Sequence, residues 1–266
     1  MKNFIVVLLL STLLSCQQKE KEVFASTNSF QLSPPLGRVD SALFKNLAKI
    51  SLDFKYPEAQ IRYTKNGTEV TNNSPLYKGT ISTTKSTKIR ARVFHPEFAS
   101  SAEIELQVVQ IKKNISTSVV TITPEANANY SGNGSSSLID LQKGTLQFRT
   151  EKKWLGFQSK TVTVDLTFQE ETKISKVILS ALIDQSGWIF SPSTVSVFSR
   201  GMEIGKVIVS SVVEQQPSQL KYIKIPIKKQ NYSSLKIKIE SLETIPEWHQ
   251  GKGTSPWLFI DELLVE

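Results

Sequence analysis

The chain has a single cysteine, Cys16, so it can form neither an internal disulfide nor a site with several thiolate ligands. Its two histidines, His95 and His249, lie far apart with no His-x-x-x-His spacing, which excludes the zinc-protease signature. Gly132-Asn133-Gly134 lacks the following helix and lysine that a phosphate cradle requires. No apolar run is long enough to span a bilayer: Phe4 to Leu14 covers about 11 residues, roughly half of what a helix needs. Nothing between residues 50 and 266 keeps a helical period for three turns.

What is present reads as strand. Val162, Val164, Leu166 and Phe168 alternate with polar residues, and Ile223, Ile225 and Ile227 do the same. Lys206 to Val213 is rich in β-branched residues. With 39% hydrophobic residues, 4 Trp and 13 Phe, the chain can fill real cores, so disorder is not expected. The formal charge of +8 raises the question of nucleic acid. In Lys88-Ile89-Arg90-Ala91-Arg92 and in Lys236-Ile237-Lys238, however, the cations alternate with apolar residues, as on the wet face of a half-buried strand. A nucleic-acid partner is therefore not expected; a general attraction to acidic glycans or anionic headgroups stays open. The expected class is all-β.

Lys2, the short apolar run and Leu13-Leu14-Ser15-Cys16 together resemble a bacterial lipoprotein signal with its lipobox. Leu14 is bulkier than the second slot usually holds. The resemblance implies a signal peptide over 1–15, lipidation at Cys16 and a polar tether over 16–29 beginning Gln17-Gln18-Lys19-Glu20. It further implies a membrane-anchored protein of the outer membrane, at its surface or its periplasmic face.

Two blocks follow, 30–111 and 115–266, joined by a short polar segment, Ile111-Lys112-Lys113-Asn114, that reads as a hinge. In the first, Ser51 to Phe54 reads as a strand partnered by Ala59 to Thr64, and Asn66-Gly67 as a tight hairpin turn. Tyr63-Thr64-Lys65-Asn66-Gly67-Thr68, Pro75-Leu76-Tyr77-Lys78-Gly79 and Lys88-Ile89-Arg90-Ala91-Arg92-Val93-Phe94 resemble, in order, the chitobiase and β-hexosaminidase C-terminal (fibronectin type III-associated) domain. The resemblance implies an immunoglobulin-like small sandwich that acts as a spacer and carries no catalytic residue. Tyr63, Tyr77 and Phe94 are expected to pack internally.

The second block places aromatics in its turns. Trp154-Leu155-Gly156-Phe157, Gly187-Trp188-Ile189-Phe190-Ser191-Pro192, Trp248-His249-Gln250-Gly251-Lys252-Gly253 and Trp257 to Leu263 resemble the galactose-binding-like (coagulation factor type C, discoidin) jelly-roll β-sandwich. That family binds its ligand in loops at one end of the sandwich. The implied ligand-binding residues are Trp154, Trp188, Glu247, Trp248, His249 and Gln250; Trp257 is expected to be buried. The resemblance also implies a structural Ca²⁺ held by Asp140, Thr145 and Glu262, although Leu141, Gln142 and Lys143 depart from the family's loop.

No catalytic residue is expected. Glycoside hydrolysis needs two carboxyl groups about 5–10 Å apart around the bond to be cut. Asp261 and Glu262 are neighbours on a strand and should point to opposite faces. Glu170-Glu171 lies in a turn without enclosure. The expected function is a non-catalytic carbohydrate-binding lipoprotein, its spacer presenting a module for an amino-sugar or galactose-containing glycan. The alternatives are a structural subunit docking a protein partner in a glycan-processing complex, or an adhesin.

Overall fold

A computed structural model of the chain describes residues 30–209 and 214–266. The expected signal peptide, Cys16 and the tether lie outside the described residues, as does the end of the strand expected over Lys206 to Val213.

The class is all-β, a small sandwich followed by a larger one. In the first part, β1 (Leu36–Val39), β3 (Ala48–Asp53) and β5 (Ile81–Thr83) form one sheet. The facing sheet orders β2 (Leu43–Phe44), β7 (Ile104–Gln110), β6 (Thr87–Phe94) and β4 (Gln60–Thr64). Ala48, Ile50 and Leu52 alternate inward from the first sheet and meet Ile89, Ala91 and Val108 of the second. On the outer side of β6, Lys88 pairs with Glu105 at 2.7 Å near solvent and Arg90 with the largely covered Glu103 at 2.6 Å, so the strand's cations are matched by acids. Tyr63 and Tyr77 meet edge to face at 6.3 Å, and the Tyr77 hydroxyl accepts from the Leu52 N–H, the packing role expected. Two details differ. β4 pairs with β6 and not with β3, because residues 54–59 carry the chain across to the other sheet. At Asn66-Gly67 only Gly67 has a positive φ (75°); the Asn66 side chain instead accepts from the Thr68 N–H, which makes an Asx-type turn.

The larger sandwich is built on two long strands, β10 (Thr161–Ile183) and β13 (Gln219–Glu240), paired antiparallel with register shifts near their middles. Their Thr161–Thr167 and Ser234–Glu240 halves lie in one layer with β8 (Val119–Thr123), β11 (Thr194–Ser199) and β12 (Met202–Ile208). Their other halves lie in the second layer with β14 (Leu258–Val265) and β9 (Leu155–Phe157). The core between the layers joins Val162, Val164 and Ile237 of the first to Val177, Leu179 and Ile225 of the second. The outer face of the second layer is covered as well. Ile178 and Leu264 pack there against Leu43 and Val109 of the first sandwich. Ile111 joins this cluster and its N–H donates to Phe44 O, so the expected hinge begins with a residue tied to both parts.

Candidate functional site

Two loops converge at one end of the larger sandwich. β10 ends at Ile183, and the Asp184 side chain then accepts from Ser186 Oγ at 2.6 Å and Gly187 N at 3.1 Å, closing a tight turn. That turn delivers Trp188 in a left-handed conformation (φ 63°), which costs a bulky side chain on the order of 1 kcal/mol. Backbone bonds to Trp257 hold the segment, from Trp257 N to Trp188 O at 2.9 Å and from Phe190 N to Trp257 O at 3.0 Å. The second loop is pinched at its neck, where Ile245 N donates to Thr254 O and Gly253 N to Ile245 O. Gly253 needs its φ of 77° for that closure.

His249 fastens the two loops together. Its Nδ1 accepts from Gly251 N at 3.0 Å, so the proton sits on Nε2, which donates to Gln185 O at 2.9 Å. Around this imidazole the rings of Trp188 (6.3 Å), Trp248 (5.6 Å) and Phe190 (5.5 Å) are arranged edge to face. The Trp188 indole also lies over the Gly251 backbone, where an added Cβ would approach it to 3.1 Å.

The six expected ligand-binding residues therefore divide. Trp188 is 37% exposed, Trp248 is half-buried, and Glu247 and Gln250 are exposed, with Glu247 3.4 Å from Lys252. These four face solvent on one set of loops. Trp154 does not: it is 1% exposed, and its Nε1 donates to Thr145 O at 3.0 Å. Its assignment to the binding surface is corrected, because the 139–153 loop folds over it. His249, 8% exposed with both ring nitrogens engaged, is likewise a fastener and not a ligand contact. Trp257 is half-buried against Tyr130 and Phe259. Sequence reasoning missed Gln185, whose carbonyl anchors His249; nothing in the sequence marked it. Phe190, within Gly187-Trp188-Ile189-Phe190-Ser191-Pro192, meets the His249 ring at 5.5 Å, a contact that no local pattern signals.

A second cluster is buried on the outer face of the second layer. β14 carries a register shift: Ser180 pairs with Glu262 but Ala181 with Ile260, which leaves Asp261 as the extra residue of a bulge. The expectation that Asp261 and Glu262 face opposite ways is thereby overturned. Both carboxyls are 0% exposed and lie within electrostatic reach of Lys143 and Tyr222. Lys143 Nζ is 2.6 Å from Asp261 Oδ2, which also accepts from Gly144 N at 2.7 Å. The same ammonium stands 4.7 Å from the Trp154 ring centroid, a cation–π contact.

The expected calcium ligands do not assemble here. Asp140 and Glu262 meet, but the Thr145 N–H and hydroxyl both donate to Glu151, at 2.8 and 2.7 Å. Ca²⁺ takes six to eight oxygens. Among the described residues no group of three or more His, Cys, Asp or Glu is placed to hold a metal, and Lys143 brings a cation of its own. The residues do not fit the ion.

Burial, then the charges of Asp261 and Asp140, push the Glu262 carboxyl up to about 9, with the Lys143 ammonium opposing. Glu262 thus keeps its proton at neutral pH, buried beside Asp140 and Asp261. Burial also raises Asp261, against which Lys143 and the Gly144 N–H act. Above the ordinary carboxylate range the unfolded chain has released the Glu262 proton and the folded chain has kept it. Stability should therefore fall as pH rises towards about 9 and level off beyond. The slope should approach about 1.4 kcal/mol per pH unit, read from denaturant midpoints between pH 6 and 9. Glu262→Gln should flatten it; an unchanged slope in that variant would assign the titration elsewhere.

Residues 39–105 match the family described as the chitobiase/beta-hexosaminidase C-terminal domain, and the match concerns that segment alone. No curated protein matches the chain. Similar solved structures include chitosan-binding module 1 of a chitosanase/glucanase from Paenibacillus sp. IK-5, with TM-score 0.34, 10% identity, and 58% of this chain and 98% of that one covered. A Streptococcus pneumoniae fucose-binding module aligns with TM-score 0.37 and 14% identity, covering 57% of this chain and 94% of its own. A SusE-like protein aligns with TM-score 0.39 and 12% identity over 86% of this chain and 95% of its own.

Proposed function

We propose that the chain is a non-catalytic carbohydrate-binding lipoprotein. Its larger sandwich, within 115–266, grips a glycan at the loop end, and its smaller one, within 30–111, serves as a spacer. The observation that carries this reading is Trp188. A large aromatic is held at φ 63°, more than a third exposed, and propped edge-on by His249 and Gly251. Strain of this kind persists where surrounding structure enforces it, and it gathers at binding sites. Trp188 and Trp248 offer indole surface for the C–H face of a sugar ring, and Glu247 and Gln250 offer hydrogen bonds to its hydroxyls. An amino-sugar polymer is the first ligand to try, since residues 39–105 match a domain named for chitobiase and β-hexosaminidase. The non-catalytic reading is supported by the full burial of the adjacent carboxyl pair, Asp261 and Glu262, away from any glycan at the loops. Affinity electrophoresis or a glycan array with wild type, Trp188→Ala and Trp248→Ala tests the site. A signal insensitive to both substitutions would remove it.

The anchor is tested separately. In cells supplied with labelled fatty acid, the chain should take up label and sediment with outer membranes. Cys16→Ser should lose all label and leave the membrane fraction. Retained label in that variant would exclude Cys16 as the lipid carrier.

A further inference from the structure

We infer that the outer face of the first layer of the larger sandwich is a second binding site, one for an extended oligosaccharide carrying carboxylates. A cleft of about 500 Å³ lies there, on the side of the sheet turned away from the core. The pleat places Val162, Val164 and Leu166 inward, so Thr163, Asp165 and Thr167 stand outward on the cleft floor. Register continues the floor sideways: Asp165 pairs with Lys236, which pairs in turn with Phe198, and Thr163 pairs with Lys238. The wall is the β11–β12 turn, where Arg200 (φ 50°) and Gly201 (φ 79°) are both left-handed, as a tight hairpin demands.

The lining does not suit an apolar partner. It offers threonine hydroxyls, one half-buried ring at Phe198, and an excess of positive charge. Lys236 is shared with Asp165 at 3.2 Å and Lys238 with Glu240 at 2.7 Å, while Arg200 has no ion-pair partner among the described residues. A guanidinium fork matches a carboxylate two bonds at a time. The hydroxyls match those of a sugar strand laid across the sheet, and the ring matches a pyranose face. This cleft lies towards Ser199–Gly201, whereas Trp188 and Trp248 stand beyond the Thr194–Glu240 end of the same strands. The two sites are therefore independent.

The test is calorimetric titration of the full chain with a galacturonate oligomer of about ten sugars, against the same oligomer methyl-esterified, at low salt. The acid form should bind and the ester should not. Arg200→Ala and Lys236→Ala should each weaken binding about five-fold, and both together about twenty-fold or more. Trp188→Ala and Trp248→Ala should leave this affinity unchanged, so failure here is distinct from failure at the loop end. No acid binding, equal binding of the ester, or indifference to Arg200→Ala would overturn the proposal. Arg200-dependent attachment to anionic phospholipid vesicles in place of the oligomer would overturn it too.

Discussion

Lys143→Met should lower the unfolding free energy by about 3–5 kcal/mol, the usual cost of stranding one member of a buried ion pair. Both partners are enclosed, with side-chain exposures of 5% for Lys143 and 0% for Asp261. Once the ammonium is gone, Asp261 keeps the Gly144 N–H but faces the Glu262 carboxyl with no cation to offset its burial. Against a typical domain stability of about 5–15 kcal/mol, such a loss is large. Denaturant midpoints would measure it. Lys143→Met combined with Asp261→Asn should recover most of it, because removing both charges also removes the stranded one. A single variant within about 1 kcal/mol of wild type would mean that the pair contributes no more than an exposed one does.

The second large effect is expected at the loop end. Trp248→Ala should weaken neutral-glycan binding at least about ten-fold, as central tryptophans in binding sites commonly do. Trp188→Ala should do likewise without relieving backbone strain, since alanine at φ 63° is no more comfortable. Trp154→Phe is the informative companion. It deletes the indole N–H bond to Thr145 O and disturbs the contact with Lys143, so it should lower stability and leave affinity untouched. If Trp154→Phe abolished binding while Trp248→Ala did not, the binding surface would lie over the 139–153 loop instead.

Much of this fold is legible in the chain because strand burial has period two. Val162-Thr163-Val164-Asp165-Leu166 and Tyr222 to Ile227 declare their faces locally, and the structure agrees. That Thr161 to Phe168 and Ile174 to Ile183 form one strand is not legible, because continuity through a register shift depends on the partner strand. The bulge at Asp261 has the same origin. It is a mismatch between two strands some 80 residues apart in sequence, and local alternation cannot anticipate it. For the site, the loop positions are readable because Trp188 abuts a strand signal and Trp248 sits in a longer polar stretch rich in glycine. The fate of Trp154 is not. Its burial follows from Lys143, Gly144 and Thr145 closing over it, and an indole in a turn looks the same whether or not another loop covers it.

The continuous passage of β10 and β13 through both layers gives the larger sandwich a common chassis. Their ends at Ile183 and Glu240 launch the aromatic loops, and the outward residues of the same strands floor the lysine-lined cleft. Mounted on one pair of ribbons, the loop end and the cleft keep a constant separation. Loosening the pairing of those ribbons should therefore disturb both surfaces together, even though each is set to a different chemistry.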